Sequence, residues 1–349
     1  MKHPQMMAVL RWVLPLLLLA VGGSCGGSTD GSLELDKPDR MAPEERQVWI
    51  GFHVLELSQV NIRKGEFQAD LYYWIRYRTP QEPTDTALME NLEFMNGNVA
   101  IHREVDRKAV GDWTYVAWRV QGAFHWLPEL QRYPLDTQKL PIRIEHANLQ
   151  TQAYEFIDDD DSYRLGGTPV NRWGIGNAVR VPDYDIKEVN RNSLVYKYET
   201  NFGDPEVVTP DTNFSRFELV VHMDRRFEPY LIKILVPLII ILTVAYLVFF
   251  VPADALETAA ALTVTSLLAS IAFQMTLASG MPENGYMVTS DRIFHLCYLL
   301  IMLAMSETVL TFNLEKNGHA ILADRIEVVS RWVYPLGFLV GLGLILWKG

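Results

Sequence analysis

The C-terminal part of the chain carries four apolar segments, at about Tyr230–Val251, Leu256–Ser279, Arg292–Phe312 and Arg331–Trp347. Each is about long enough to cross ~30 Å of hydrocarbon as a helix rising ~1.5 Å per residue. Hydrocarbon offers no partner to a bare N–H or C=O, so these segments are expected as helices whose backbones satisfy themselves. Pro237 lies inside the first, where a membrane helix tolerates it. The stretch between the last two, "NLEKNGHAILADRIEVVS", reads as a connecting loop too short for a cytoplasmic domain.

The rest of the chain has another character. Up to about Asp224 it is polar and rich in Tyr, Trp, Asp and Arg, and most of the formal charge of -11 lies there. Nucleic acid is therefore a poor partner, whereas cations and amines are better electrostatic guests. The start pairs Lys2 and Arg11 with a short apolar run from Trp12 to Val21, then small residues. This predicts a secretory signal peptide over 1–24, followed by an N-terminal linker over 25–46. Cys25 sits where a lipoprotein signal would be cleaved, but Gly22 stands where that signal wants Leu or Val, so both readings stay open. Cys297, in an apolar segment, is the only other cysteine; no disulfide is expected, and the exported domain must be held by its core.

An exported N-terminal domain sets the topology of a multi-pass protein of the cell inner (plasma) membrane. "FVPADALE" and the loop from Asn313 fall inside, while "GMPENGYMVTSD" and the C-terminus fall outside. The Lys and Arg bias does not fix this orientation independently.

From Gln47 to about Val221, short strands separated by turns are spaced as in a β-sandwich. In "FQADLYYWIRYR", Phe67, Ala69, Leu71, Tyr73, Ile75 and Tyr77 share one face. The other face carries Gln68, Asp70, Tyr72, Trp74, Arg76 and Arg78, a content that suggests a partner surface as much as a half-buried strand. Further strands are expected at "WTYVAWRVQG", "LPIRIEHA", "NAVRVP", "LVYKYET" and "RFELVVHM". The predicted architecture is an all-β, immunoglobulin-like extracellular sandwich over 47–226, followed by an α-helical four-span bundle over 227–349.

The second apolar segment differs from a lipid-facing helix, because Thr and Ser recur along it and Glu257 stands at its foot. Glu257, Ala261, Thr265, Leu268, Ala272, Met275 and Ser279 fall within a stripe of about 80° at 100° per residue. Small residues in such a stripe also serve close helix packing. A carboxylate near a membrane, however, is costly unless it meets water or a cation. One helix cannot line a channel, so several copies must share an axis. Glu257 then becomes an acidic, cation-selecting ring, and Leu268, Ala272 and Met275 become apolar rings able to gate by dewetting.

Several motifs then carry a resemblance in the right order. "RYPLDTQKL" resembles an aromatic-Pro-aromatic-Asp signature with Leu135 replacing the second aromatic. "ETAAALTVTSLLASIAFQ" with "MPENGYMVT" resembles a pore helix and its outer loop, and "WVYPLGFLVG" resembles a last helix. From Gln47 to Trp347 the chain resembles the bacterial pentameric ligand-gated ion channels, relatives of the Cys-loop receptors. The bridging cysteines of the animal receptors would fall near Trp126 and Leu140 and are absent, as in bacterial members.

The resemblance implies a homopentamer around the second apolar helix, with a small-molecule agonist bound between neighbouring subunits; monovalent cations are the permeant ions expected from the Glu257 ring. It places Glu93, Glu145, His146 and Phe214 on the principal side of that site, with Tyr196 or Tyr198 beside them. Tyr72 would come from the neighbour. Acids within an aromatic cage suit an amine agonist. Ala147 and Met95 stand where amine-gated relatives carry aromatics, the Trp-x-Pro expected near Leu88 is missing, and for each residue ordinary strand packing is the competing reading. The resemblance further implies that Asp136 pairs with Arg225 near Arg132 and Pro134, and that Pro282 carries motion to the gate. Asn61 replaces a further acid of that cluster, and Ser270 replaces the pore histidine of a proton-gated relative.

"DDDDSY" brings Asp158, Asp159, Asp160 and Asp161 together, either as a solvated loop or as a Ca²⁺ site modulating the channel. No other cofactor is expected. Metalloprotease, nucleophile-elbow and phosphate-loop motifs are missing, and "GIGNAV" is an incomplete dinucleotide fingerprint, so no enzyme is expected. The rival reading is a non-conducting, membrane-anchored sensor or binding module.

Overall fold

The computed structural model describes residues 46–78, 91–165, 168–169, 174–203, 212–252, 254–283 and 285–348. The signal peptide, Cys25, the linker and the position near Leu88 lie outside the described residues. The chain divides into two compact units. One holds the strands; the other holds the helices together with the segment Glu129–Asp136.

The strand unit is a two-sheet sandwich. Five strands order as β4 (Gly97–Val110), β5 (Trp113–His125), β2 (Glu66–Arg78), β1 (Gln47–Asn61) and β7 (Glu155–Asp158). Four order as β10 (Tyr184–Tyr198), β11 (Thr212–Arg225), β6 (Thr137–His146) and β3 (Leu92–Phe94), and a short ribbon pairs β8 (Arg164–Leu165) with β9 (Thr168–Pro169). The β1–β7 pairing is parallel and the other pairings between these strands are antiparallel.

Alternation in β2 decides which residues build the core. Phe67, Ala69, Leu71, Tyr73, Ile75 and Tyr77 are all buried, while Gln68, Asp70, Tyr72, Trp74 and Arg76 are only half-buried. Burial of each large apolar side chain contributes about 1.5–3 kcal/mol, and this core does the work that disulfides do elsewhere. Phe52 of β1 stacks on Phe217 of β11 at 5.5 Å, which joins the two sheets. The second face of β2 is largely occupied by the chain itself. Trp74 covers Gly51, where a Cβ would lie 2.3 Å from the indole ring. The Arg76 guanidinium lies 5.6 Å from the Trp113 ring.

Two strand expectations are corrected. The principal strands are long, with β1 and β10 each running 15 residues. "NAVRVP" is not a strand: Val179 and Val181 are buried in the core, but Val179 N–H donates to Gly176 O and Tyr184 N–H to Val181 O, as in turns. Alternating burial is necessary for a strand and insufficient, because the backbone must also find a ladder.

The helical unit has α1 (Phe227–Tyr246), α2 (Leu256–Ala278), α3 (Thr289–Lys316) and α4 (Ala320–Lys348), with a 3₁₀ turn at Leu247–Phe250 after α1. All four are long and apolar enough to cross a membrane, which fits a multi-pass membrane protein. Pro237 is accommodated inside α1. The last two helices overrun the expected boundaries: α3 continues to Lys316 and α4 begins at Ala320, so the expected loop shrinks to Asn317–His319. Hydropathy marks where hydrocarbon-compatible residues end, whereas the helix ends where its backbone can be capped. Gly318 at φ 78 supplies that cap, with His319 N–H donating to Leu314 O and Gly318 N–H to Glu315 O.

One core contact carries a pH signature. The buried Tyr73 hydroxyl meets His102 Nε2 at 2.7 Å, although the rest of His102 is exposed along β4. Burial holds the imidazole below its ordinary pKa and the phenol well above its own, so neutral His102 accepts from Tyr73. The unfolded chain protonates more readily, and stability is therefore lost as pH falls below the unfolded histidine value of about 6.5. We expect His102→Gln to flatten the acid side of the thermal-midpoint curve of the detergent-solubilised protein. A curve parallel to wild type removes His102 as a cause.

Candidate functional site

On α2, Ala259, Thr263, Ser266 and Ser270 are buried against the chain's other helices. The Thr263 hydroxyl donates to Ala259 O at 3.0 Å and that of Ser266 to Leu262 O at 2.8 Å, so part of the hydroxyl content serves packing. The opposite face is left open. Glu257, Ala261, Thr265, Leu268, Ala272, Met275 and Ser279 are all exposed in the single protomer. Leu268 is 61% exposed and Met275 69%, far more than an apolar side chain inside a bundle. Glu257 lies in the first turn of α2, where a carboxylate also complements the helix dipole.

The start of α3 and the loop before it are tied into the segment Glu129–Asp136. Val288 precedes α3 and has no side-chain oxygen to cap it. The first helical N–H groups therefore go elsewhere: Thr289 N–H and hydroxyl donate to Gln131 O at 3.0 and 3.1 Å, and Ser290 N–H to Tyr133 O at 3.2 Å. Leu130 N–H donates to the Tyr286 hydroxyl at 3.1 Å. Pro134, after a cis bond to Tyr133, and Asp136 are buried, Arg132 is exposed, and Pro282 is half-buried. Arg225, at the end of β11, is buried with its guanidinium 4.7 Å from the Tyr184 ring.

In the sandwich, β3, β6, β10 and β11 bring most of the expected cage together. Glu93 faces Glu145 across the β3–β6 ladder, and Tyr196 faces Phe214 across β10–β11. Tyr198 packs edge-on against Tyr196 at 4.6 Å, Phe202 at 5.2 Å and Phe214 at 5.6 Å. Tyr72 lies on the other sheet, paired with Arg119, whose guanidinium lies 5.9 Å from its ring.

The cage already contains a cation. Arg216 pairs with the buried Glu145 carboxylate and lays its guanidinium 3.6 Å from the Tyr196 ring centre. The Tyr198 hydroxyl donates to Glu145 Oε2 at 3.0 Å, and burial with the nearby carboxylate pushes that phenol up to about 12. His146 is committed locally: its Nδ1 accepts from Asn148 and Leu149 N–H at 3.0 Å each. Sequence reasoning missed Arg216 and Phe202. A charged residue amid the apolar run of "NFSRFELVV" is the signal that could have found the first.

The acidic run is likewise engaged by its own chain. Asp159 is buried, accepts from Trp74 Nε1 at 2.9 Å, and meets Arg76 and Ser162. Arg191 reaches Asp158 at 2.9 Å and Asp160 at 3.1 Å, and Arg164 also holds Asp160. Asp161 is exposed. Among the described residues, no group of three or more His, Cys, Asp or Glu side chains is placed to hold a metal ion.

No protein-family model matches the chain. It is 22% identical over 290 residues to glycine receptor subunit beta-type 4 of Caenorhabditis elegans, covering 77% of this chain and 57% of that protein. It is 24% identical over 219 residues to a proton-gated ion channel of Gloeobacter violaceus, covering 61% and 53% respectively. Against gamma-aminobutyric acid receptor subunit beta-4 of Gallus gallus it is 22% identical over 225 residues, covering 64% and 42%. The chain spans about half the length of the curated relatives it matches. A β-sandwich followed by four membrane-length helices agrees with those similarities, and the chain is a relative of the pentameric ligand-gated ion channels, the family of the Cys-loop receptors and their bacterial members.

Proposed function

We propose that the chain is the subunit of a homopentameric, cation-selective, ligand-gated ion channel of the inner membrane, with its sandwich outside the cytoplasm. It is not read as an enzyme. The observation that carries this is the open face of α2, which joins an acid, small and hydroxyl residues, and large apolar side chains in one exposed stripe. Copies arranged around an axis turn Glu257 into a ring that concentrates cations and Leu268, Ala272 and Met275 into a constriction that dries when narrow. The helices need no further partner on that face, because water fills it.

For the agonist we propose an amine that enters the Glu145, Tyr196, Tyr198 and Phe214 cage by competing with Arg216. A guanidinium stacked on tyrosine and paired with a carboxylate is what an organic ammonium would imitate. Glu93, exposed beside Glu145, adds negative potential at the entrance.

Purified protein in a planar bilayer under a potassium chloride gradient tests the channel itself. Reversal near the potassium potential is expected, and absence of current under amines, acid and Ca²⁺ alike would favour the non-conducting anchor. Glu257→Gln should lower the cation-to-anion permeability ratio by about tenfold, the equivalent of ~1.4 kcal/mol. An unchanged ratio removes Glu257 as the selecting group. Leu268→Ala should raise the open fraction without stimulus, because a smaller apolar ring wets more readily; a lower open fraction contradicts the gate. Arg216→Gln leaves Glu145 without its counter-ion, so propylamine should raise the thermal midpoint more in this variant than in wild type. Equal shifts would detach Arg216 from amine recognition.

A further inference from the structure

We propose that Gln274, Asp291 and Tyr298 form a latch that sets the rotation of the outer half of α2, and so the position of Met275 in the pore. The inference extends the reading of α2 as pore-lining and rests on it. Gln274 is half-buried in a membrane-length helix, where an unmet primary amide would be costly. Both of its ends are met by α3. Its Nε2 donates to Asp291 Oδ1 at 3.0 Å, and its Oε1 accepts from the Tyr298 hydroxyl at 2.5 Å. Asp291 uses its second oxygen to accept from Val288 N–H at 3.2 Å, which caps the start of α3.

Asp291 therefore joins two structures in one carboxylate. On one side is the α3 N-terminus, whose Thr289 and Ser290 are bonded to the carbonyls of Gln131 and Tyr133. On the other is the pore helix, one residue from the most exposed member of its apolar stripe. A displacement of the segment Glu129–Asp136 moves the first turn of α3, and Asp291 passes it to Gln274 as a pull on the side of α2 away from the pore. Neighbouring residues follow Gln274 at 100° per residue, so Met275 turns with it. The edge-to-face pair Phe273–Phe294, at 5.6 Å, packs beside the latch and limits sliding along the helix axis. These three are positioning residues; none has to touch the permeant ion.

The test uses the full-length assembly in lipid nanodiscs, with Cys25→Ser and Met275→Cys, since Cys297 is fully buried. A cationic methanethiosulfonate reagent is added and modification is followed by mass spectrometry. Tyr298→Phe should change the modification rate by about fivefold, the effect of losing one ordinary hydrogen bond, and Gln274→Met, which loses both bonds, by more. Gln274→Glu combined with Asp291→Asn keeps an amide-to-carboxylate contact in reverse and should restore the original rate. Tyr298→Phe removes a single hydroxyl, which keeps the fold available for the measurement. If position 275 is unreactive with the latch intact, the pore reading fails. If it reacts but at one rate in all variants, the latch fails while the pore stands; a change that the reversed pair does not restore marks a packing defect and also overturns the latch.

Discussion

The helical unit is organised by a mismatch: α2 has more surface than its own protomer can cover. Only 17% of its apolar window is buried, against 50% for α3. The same low burial in α4 has a simple resolution, because its exposed side chains, among them Trp332, Val333, Leu336 and Leu339, suit hydrocarbon. The open face of α2 includes Glu257 and Thr265 and does not. A carboxylate and a hydroxyl would be costly on a face turned to hydrocarbon. On the proposed reading, their demand for water is met by a shared aqueous axis.

The sandwich meets an analogous demand internally. Its charges are not simply displayed on the surface. Asp159, Glu145 and Arg216 are buried and matched within the chain. Such pairs add little net stability, since desolvation offsets much of the attraction, but removing one member leaves a charge stranded. The same property suits a recognition site. On the proposed reading, the resident guanidinium marks the shape of the ammonium that would replace it.

Within the helical unit, hydrogen bonds of modest individual strength are arranged in series. The carbonyls of Gln131 and Tyr133 take up N–H groups at the start of α3, and Asp291 of α3 both caps that start and accepts from Gln274. Each group would be costly to leave unpaired in an apolar setting.

Local periodicity made much of the architecture legible. The six inward residues of β2 follow from its alternation, and the open stripe of α2 follows from 100° steps, because both depend only on neighbours along the chain. Where local signals compete, they mislead. Charges in "ADRIE" conceal the start of α4, and alternating valines make "NAVRVP" look like a strand. Chemical identity alone could not reveal that Arg216 fills the aromatic cage or that Arg191 and Arg76 hold the aspartates. Nor could it show that Gln274 bonds Asp291 and Tyr298. Hydropathy and spacing thus determined the membrane spans, the sandwich character and the face of α2. Tertiary structure decided which polar groups meet, because those partners are separated along the chain and become neighbours only when strands pair and helices pack.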